Sequence, residues 1–219
     1  MTDPDTRTED ALAVEAEPAA AVTLFGARID LARSFTAELA RRGEELGLIG
    51  PRELPQLWTR HILNSALLAP LLEARGRVAD VGSGAGLPGL VLAIARPDVS
   101  FTLIEPMERR VDWLTSEAAR LGLENVTVLR ARAEDVADDV VVDQVTARAV
   151  SALSKLIPLT VPLVRSGGQL ILMKGARVDD EIEKARKVIL RKRLSDVEVL
   201  ELGEGVVDET TRVFRATVD

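Results

Sequence analysis

The sequence predicts an α/β fold with a mostly parallel open sheet, a helical cap before it and an antiparallel pair of strands at its end. After Gly76, an apolar strand, a loop and an amphipathic helix alternate repeatedly, which is typical of βαβ units with parallel strands. A glycine-dense turn follows the first strand of this series. The last two apolar runs are joined by a stretch too short for a helix, so these strands are expected to be antiparallel.

Length and composition limit the classes of protein to which this chain can belong. Its 219 residues, 47% hydrophobic and 29% charged, suffice for one ordinary domain with a small appended subdomain. No apolar run approaches the roughly 20 residues of a membrane span, and the acidic N-terminus is unlike a signal peptide, so a cytoplasmic location is expected. With no cysteine and one histidine, a disulfide and a thiolate nucleophile are excluded and no metal site is expected.

Three regions are expected along the chain. Residues 1–20 are rich in acids, lack hydrophobic periodicity and are predicted to form a disordered acidic tail, which carries much of the net charge of −7. Residues 21–75 are predicted to form an N-terminal helical cap, because apolar residues recur at helical spacing over about 22–46 and again over about 57–72. Residues 76–219 are predicted to form the α/β domain.

Hydrophobic periodicity predicts the elements of this domain in order. Short apolar runs bounded by loop residues predict five parallel strands, at about 77–81, 100–104, 125–129, 142–147 and 169–173. The amphipathic segments between and after them predict helices near 87–95, 107–121, 151–164 and 179–193. The terminal antiparallel strands are predicted at 197–202 and 212–218. Ligands of such sheets bind beyond the carboxyl ends of the strands.

The turn after the first strand is the strongest candidate for a ligand site. Residues 80–89 read DVGSGAGLPG. Glycines at 82, 84 and 86 permit positive φ angles and leave no side chain between the backbone and a bound ligand. Glu105 ends the next strand, where a carboxylate can accept hydrogen bonds from the two hydroxyls of a ribose. The two features together predict a nucleotide-like cofactor.

Two cofactor classes fit this turn. The spacing Gly84-x-Gly86-x-x-Gly89 matches the dinucleotide fingerprint. Three details favour S-adenosylmethionine instead. Asp80 precedes the glycines, where its carboxylate is expected to meet an amino group of the cofactor and would repel a pyrophosphate. Residues 132–135 follow the third strand and supply an acid and backbone groups where methyltransferases hold adenine. A dinucleotide fold would also continue with a parallel strand rather than a hairpin.

Four separated motifs resemble, in order, those of the GidB/RsmG family of bacterial 16S ribosomal RNA guanine-N7 methyltransferases. They are LWTRHILNS at 57–65, DVGSGAGLPG at 80–89, TARA at 146–149 and MKG at 173–175. The resemblance spans about residues 22–218. This chain departs from the family at Asn64, where the family usually has Asp.

The resemblance implies a class I S-adenosylmethionine-dependent methyltransferase (Rossmann-like) fold and methyl transfer to N7 of a specific guanine in 16S rRNA. It places Gly82 and Leu87 around the cofactor, Ala133 and Glu134 beside its adenine, and Arg148 at its methionine end. Glu105 is expected to bind the ribose because of its position after the second strand. The residues expected to bind the cofactor are therefore Gly82, Gly84, Leu87, Glu105, Ala133, Glu134 and Arg148.

The chemistry implied by this resemblance needs few protein groups. Guanine N7 carries a lone pair and no proton, so methyl transfer to it requires positioning rather than a general base, and no catalytic residue is predicted. RNA requires positive charge near the crevice, and Arg60, His61 and Lys174 are the candidate contacts. The alternatives are a hydrogen-bonded histidine on a half-buried helix face and an ordinary solvated lysine.

The expected partner is 16S rRNA, either alone or within a small ribosomal subunit particle, and the chain is expected to be a monomer that does not bind membranes. Two rival functions stay open at the level of sequence. The fold could methylate a small molecule, since a glycine turn alone does not define the acceptor. The chain could also be a non-enzymatic ribosome-assembly factor, although its complete set of candidate cofactor residues favours retained cofactor binding.

Overall fold

A computed structural model describes residues 13–219 of the chain. Most of the predicted acidic tail, residues 1–12, lies outside the described residues. The end of the tail contacts the cap. The Glu15 carboxylate accepts a 2.9 Å hydrogen bond from the backbone N–H of Thr59, and Glu17 forms a 2.6 Å ion pair with Arg33. The acids at this end of the tail are therefore bonded to the cap, whereas the sequence predicted a disordered segment through residue 20.

One seven-stranded sheet forms the centre of the molecule, in the order β3-β2-β1-β4-β5-β7-β6. Strands β1 to β5 are parallel, and β7 is antiparallel to both of its neighbours. The predicted C-terminal antiparallel hairpin is therefore confirmed, and it inserts its second strand next to β5. The strands are Arg77–Val81 (β1), Ser100–Ile104 (β2), Val126–Leu129 (β3), Val142–Arg148 (β4), Val164–Lys174 (β5), Leu194–Leu202 (β6) and Thr211–Val218 (β7).

In the described part of the chain, seven α-helical segments surround the sheet, and the four predicted between and after its parallel strands lie within a few residues of their expected bounds. They are Ala20–Phe25 (α1), Ile29–Arg42 (α2), Asn64–Ala66 (α3), Gly89–Ala95 (α4), Glu108–Arg120 (α5), Leu153–Thr160 (α6) and Val178–Arg191 (α7). A π-helix, Leu57–Leu63, runs directly into α3. None of the helices in residues 13–219 is long and apolar enough to cross a membrane.

The cap differs from the two continuous helices that the sequence predicted. The first helix is interrupted after Phe25, because Gly26 takes a positive φ of 50° and ends α1 before α2 begins. The second begins as the π-helix and ends in a short 3₁₀ turn, Ala69–Leu71. Apolar spacing of three and four residues does not distinguish these helix types, since they present similar faces over a short segment.

Strand β5 is longer than predicted. It begins at Val164, which pairs with Val142, rather than at residue 169. The pairing with β4 shifts register between Val142 and Gln144, so a bulge separates the two parts of the strand. The Gly167-Gly168 pair lies in this irregular part, and its low strand propensity explains why the sequence pattern predicted a shorter strand.

The apolar core has two layers, one on each face of the sheet. The cap, α4 and α5 cover one face, where Phe35, Ile62 and Leu90 are fully buried. Helices α6 and α7 cover the other face, where Ile157 and Phe214 are fully buried. The central strands are thus buried on both sides, as expected for parallel strands connected by helices.

The strand order places a crevice at the centre of the sheet. From β1 the chain crosses to β2 on one side, whereas β4 pairs on the other side of β1. Such a change of direction leaves a gap beyond the carboxyl ends of the two central strands, where ligands of doubly wound sheets bind. The glycine turn after β1 and Arg148 at the end of β4 both lie at this edge.

Candidate active site

The glycine turn after β1 exposes bare backbone at the crevice. Gly82 has a φ of +71°, and its N–H donates a 2.8 Å hydrogen bond to the carbonyl of Ile104 in β2. A Cβ on Gly82 would lie 2.8 Å from Cγ2 of Val150, closer than real contacts allow. The indole N–H of Trp113 in α5 donates a 3.0 Å bond to the carbonyl of Ala85 and anchors the rest of the turn.

Glu105 links the turn to the end of β2. The residue is only 2% exposed, and its two carboxylate oxygens accept 3.0 Å hydrogen bonds from the N–H groups of Gly84 and Met107. A carboxylate has further acceptor capacity after two such bonds. Glu105 also lines the crevice, so this remaining capacity lies at the crevice wall.

Asp80 does not lie where the sequence analysis expected it. The residue is fully buried and is not among those lining the crevice. Its carboxylate accepts a 3.1 Å bond from the N–H of Gly89 at the start of α4 and a 3.2 Å bond from the hydroxyl of Thr146 in β4. Burial raises the pKa of Asp80 to about 6. The expectation that Asp80 meets an amino group of the cofactor is therefore corrected: its carboxylate holds β1, β4 and α4 together.

A cavity of about 680 Å³ opens over the turn, and it is lined by all seven residues assigned to the cofactor in the sequence analysis, although not by Asp80. These residues come from four places in the fold: the glycine turn, the end of β2, the loop after β3 and the end of β4. The loop after β3 contributes Ala133, which is buried, and Glu134, which is exposed. The seven predicted residues on the cavity wall are Gly82, Gly84, Leu87, Glu105, Ala133, Glu134 and Arg148.

Arg148 is anchored to the cap at one end of this cavity. Its guanidinium donates to the backbone carbonyls of Arg60 (3.1 Å) and His61 (3.4 Å) and contacts Nδ1 of His61 at 2.6 Å. Nε2 of His61 lies 2.5 Å from the Glu53 carboxylate. No carboxylate within residues 13–219 forms an ion pair with Arg148 itself.

Burial and charge shift the ionisation of two of these groups. Burial lowers the pKa of His61 to about 4, and the positive charge of Arg148 lowers it further, against the opposing effect of Glu53. Burial also lowers the pKa of Arg148 to about 10, with a further contribution from repulsion by Arg60. At neutral pH the histidine is therefore neutral and the arginine is charged.

A second cavity of about 540 Å³ shares part of its wall with the first. Arg148 and Ala149 line both cavities. Ala149 has a positive φ of 54°, an uncommon conformation for a residue with a Cβ and one that is concentrated at functional sites. Asn64, which is 7% exposed, also lines the second cavity, and its side-chain oxygen Oδ1 is buried without a hydrogen-bond partner in the described part of the chain.

The three residues expected to contact RNA fall in different environments. Arg60 is exposed and lines the second cavity. His61 is 8% exposed, is hydrogen-bonded through both ring nitrogens and lines only the first of these two cavities. Lys174 lines the second cavity but is bonded to Glu181 at 2.7 Å and to the carbonyl of Ser151 at 2.9 Å. It is therefore not the ordinary solvated lysine of the alternative interpretation.

Sequence reasoning missed the contribution of the cap to the first cavity. Residues 48–50 line it, as does Glu53, which lies in the 3₁₀ segment Pro51–Gln56. Val150, which faces Gly82, was also missed. Prolines at 51 and 55 flank Glu53, but no local pattern connects this acid to His61 or to a strand far along the chain.

Comparison with known proteins identifies the family of the chain. The family model described as "GidB: rRNA small subunit methyltransferase G" matches residues 28–210. The ribosomal RNA small subunit methyltransferase G of Clavibacter sepedonicus is 65% identical over 205 residues, covering 94% of this chain and 97% of the relative. The protein of the same name from Leifsonia xyli subsp. xyli is 66% identical over 205 residues, covering 94% and 98%.

Solved structures confirm the predicted fold class. A precorrin-6y C5,15-methyltransferase from Geobacter metallireducens GS-15 superposes with a TM-score of 0.53 at 17% identity, covering 70% of this chain and 85% of its own. Aeropyrum pernix fibrillarin, solved with natively bound S-adenosyl-L-methionine, superposes with a TM-score of 0.54 at 18% identity, covering 72% and 75%. These are class I methyltransferase folds. The family match over residues 28–210 and the two relatives show that the chain belongs to the GidB family, rRNA small subunit methyltransferase G.

Proposed function

We propose that this chain transfers a methyl group from S-adenosylmethionine to N7 of one guanine in the 16S rRNA of the small ribosomal subunit. One observation carries the proposal: two cavities meet at Arg148 and Ala149, beyond the carboxyl ends of the central strands. A methyl donor in the first cavity and a base in the second would be neighbours across this shared wall. Membership of the family supports ribosomal RNA as the source of the base.

The residues around the first cavity fit S-adenosylmethionine, which supplies a methyl group activated by a sulfonium. Gly82 leaves space that a side chain would fill, and Glu105 has acceptor capacity for ribose hydroxyls. Arg148 is a cation without a carboxylate partner among the described residues, so it suits the carboxylate of the methionine part. Ala133 and Glu134 would lie beside the adenine. Gly84 and Leu87 also line this cavity, and we assign them to the cofactor-binding residues as well.

The protein is proposed to act by positioning rather than by proton transfer. Both ring nitrogens of His61 are engaged by Glu53 and Arg148, and Asp80 is buried outside the cavity, so neither side chain is placed to remove a proton. Guanine N7 has no proton to remove. Holding N7 about 3 to 3.5 Å from the methyl carbon, in line with the departing sulfur, converts a bimolecular reaction into an effectively unimolecular one.

The second cavity is proposed to receive the guanine. Its buried acceptor, Oδ1 of Asn64, lacks a partner among residues 13–219, and an unpaired buried polar atom costs about 1 to 3 kcal/mol. A guanine presents amino and ring N–H donors that could satisfy this oxygen. Arg60 is exposed at the rim and suits a phosphate of the RNA backbone. Lys174 is the weaker candidate for RNA contact, because its ammonium group is already paired with Glu181.

Methyl transfer from labelled S-adenosylmethionine tests this function. The acceptors are small ribosomal subunits from cells that lack this protein, the same subunits already modified, 16S rRNA free of protein, and a pool of cell metabolites. We expect label in unmodified 16S rRNA, in the subunits or free of protein, and none in modified subunits, located at one guanine by mass mapping and by cleavage chemistry specific for N7-methylguanine. Label in the metabolite pool without label in rRNA would support a small-molecule methyltransferase. Binding to subunits without transfer would support an assembly factor.

A further inference from the structure

Three side chains form a continuous hydrogen-bonded chain between the cap and the end of β4. Glu53 comes from the 3₁₀ segment after Gly50, His61 from the π-helix, and Arg148 from the last position of β4. The two contacts are 2.5 Å from Glu53 to Nε2 of His61 and 2.6 Å from Nδ1 of His61 to Nη2 of Arg148. All three residues line the first cavity. The mechanism described above uses only Arg148.

The direction of each hydrogen bond between these three side chains follows from which of their atoms can donate and which can accept. A guanidinium can only donate, so Nδ1 of His61 must accept from Arg148. The proton of a neutral imidazole is then on Nε2 and is donated to the Glu53 carboxylate. The low pKa of His61, caused first by burial, agrees with a neutral ring. Glu53 thus selects the tautomer that can accept a hydrogen bond from Arg148.

The cap acceptors also set the orientation of the guanidinium. Three of its N–H donors are directed to the carbonyl of Arg60, the carbonyl of His61 and Nδ1 of His61, all of which belong to the π-helix. The remaining donors are left for a ligand. Because none of these three acceptors is a carboxylate, the positive charge of Arg148 is oriented without being neutralised.

We propose that Glu53 and His61 are positioning residues that hold the Arg148 guanidinium toward the carboxylate of the amino-acid part of the cofactor. The proposal rests on the function proposed above, since it assumes that the first cavity holds S-adenosylmethionine. Its ligand chemistry is specific: a carboxylate on a nucleoside. If the three side chains only held the cap against the sheet, replacing one of them would change the Kd of every ligand of the cavity by a similar factor.

The test compares two ligands that differ only in the amino-acid part. S-adenosylhomocysteine carries the ammonium and carboxylate groups, whereas 5′-methylthioadenosine keeps the adenosine and the thioether and lacks both. Calorimetry with the full chain measures the Kd of each ligand for the wild type, Glu53→Gln, His61→Leu and His61→Asn. Glu53→Gln keeps the shape of the side chain and removes its charge. His61→Asn retains an oxygen close to the position of Nδ1, so it can still accept from Arg148.

We expect His61→Leu to weaken S-adenosylhomocysteine roughly tenfold or more, as for loss of a charge-assisted interaction, and to change the Kd of 5′-methylthioadenosine less than about twofold. Glu53→Gln should show the same selectivity with a smaller effect, and His61→Asn should recover part of the loss. Glu38→Gln is the matched control, because Glu38 pairs with Arg41 in the cap and does not line the cavity. It should change neither Kd.

Equal losses for the two ligands would overturn the positioning role and show that the three residues only hold the cap. Unchanged Kd values for S-adenosylhomocysteine in both His61→Leu and Glu53→Gln would overturn it as well. If His61→Leu does not fold, as judged by its thermal transition, Glu53→Gln decides the question alone, because it removes no volume. Failure of the wild type to bind either ligand would instead overturn the proposed function, together with this inference.

Discussion

The N–H of Gly84 donates a 3.0 Å hydrogen bond to Oε2 of Glu105. The bond joins the glycine turn after β1 to the residue that ends β2, and the second carboxylate oxygen binds the N–H of Met107. Glu105 therefore has two roles at once: it holds the turn in place and presents its remaining acceptor capacity to the first cavity. The shape of the cavity and the proposed recognition of a ribose would then depend on the same side chain.

Replacement of Glu105 should weaken all nucleoside ligands. In Glu105→Gln, the amide NH₂ must face the N–H of either Gly84 or Met107, so a donor meets a donor. We expect the Kd of S-adenosylhomocysteine and that of 5′-methylthioadenosine to rise by a similar factor, roughly tenfold or more. Calorimetry with the two ligands measures this. A loss confined to S-adenosylhomocysteine would contradict the assignment of Glu105 to the ribose.

Gly82 should be intolerant of even a methyl side chain. Gly82→Ala places a Cβ 2.8 Å from Val150 and forces an alanine to a φ of +71°. We expect a loss of about 1 to 3 kcal/mol in the free energy of unfolding, and a substantially weaker Kd for S-adenosylhomocysteine.

A matched control for this variant exists in the same chain. Gly205 also has a φ of +71°, but none of the described residues has an atom within 4 Å of the position that a Cβ would take there, so Gly205→Ala isolates the cost of the backbone conformation. It should lower stability without changing the Kd of the ligand. If both variants bind S-adenosylhomocysteine as tightly as the wild type, the turn does not contact the cofactor.

Titration of the Asp80 carboxyl should lower the free energy of unfolding as the pH rises from about 4 to 6. Its pKa is raised to about 6 in the folded protein by burial, whereas an unfolded aspartate titrates near 3.9. Between these values the folded state holds a proton that the unfolded state has lost, so raising the pH favours unfolding by up to about 3 kcal/mol. Below about pH 4 both states are protonated, and above about pH 6 both are ionised.

The variant Asp80→Asn removes this titration and keeps an acceptor for the N–H of Gly89. Urea unfolding at pH 4 and pH 7 should show the variant gaining stability relative to the wild type as the pH rises. Asp112→Asn, a change of the same kind at an exposed position of α5, is the control for the loss of one carboxylate. Parallel stability curves for Asp80→Asn and the wild type would contradict the raised pKa.

Lys174 should contribute to stability through Glu181. Its side chain is 9% exposed and lies 2.7 Å from the Glu181 carboxylate, which is 26% exposed. Removing one partner leaves the other charge partly buried, so Lys174→Met and Glu181→Gln should each destabilise the fold. A double-mutant cycle by urea unfolding should give a coupling energy of about 1 to 3 kcal/mol.

The exposed pair Arg130 and Glu108, whose side chains are 55% and 66% exposed, provides the comparison for this cycle, since coupling at surface ion pairs is usually below about 1 kcal/mol. A coupling energy near zero between Lys174 and Glu181 would mean that the lysine is available to RNA phosphate, as the sequence first suggested. Subunit binding by Lys174→Met as a function of salt would then show a reduced salt slope.

The elements of the α/β domain were predictable because their signals are local. Alternation of apolar runs with amphipathic segments identified β1 to β4 and helices α4 to α7 within a few residues of their observed bounds. The short connection before β7 predicted the antiparallel pair. The start of β5 and the break in the first cap helix were not predicted, because a register shift and a single glycine conformation leave little trace in hydrophobic periodicity.

The candidate site was predictable only in part. The glycine turn and Glu105 follow from the rule that ligands bind beyond the ends of parallel strands, and the seven expected cofactor residues do line one cavity. The direction of the Asp80 carboxylate was not predictable, since it depends on Gly89 and Thr146, one in α4 and the other in β4.

The sequence by itself determined the order of strands and helices, the bare backbone after β1 and the acid after β2, because each of these depends on neighbours along the chain. Only the tertiary structure decided which titratable side chains contact each other. His61 and Arg148 are 87 residues apart in sequence, and their 2.6 Å contact exists because the cap folds over the end of β4. Burial at that junction, which no local pattern encodes, keeps the histidine neutral. The groups that meet there also leave the arginine without a carboxylate partner among the described residues.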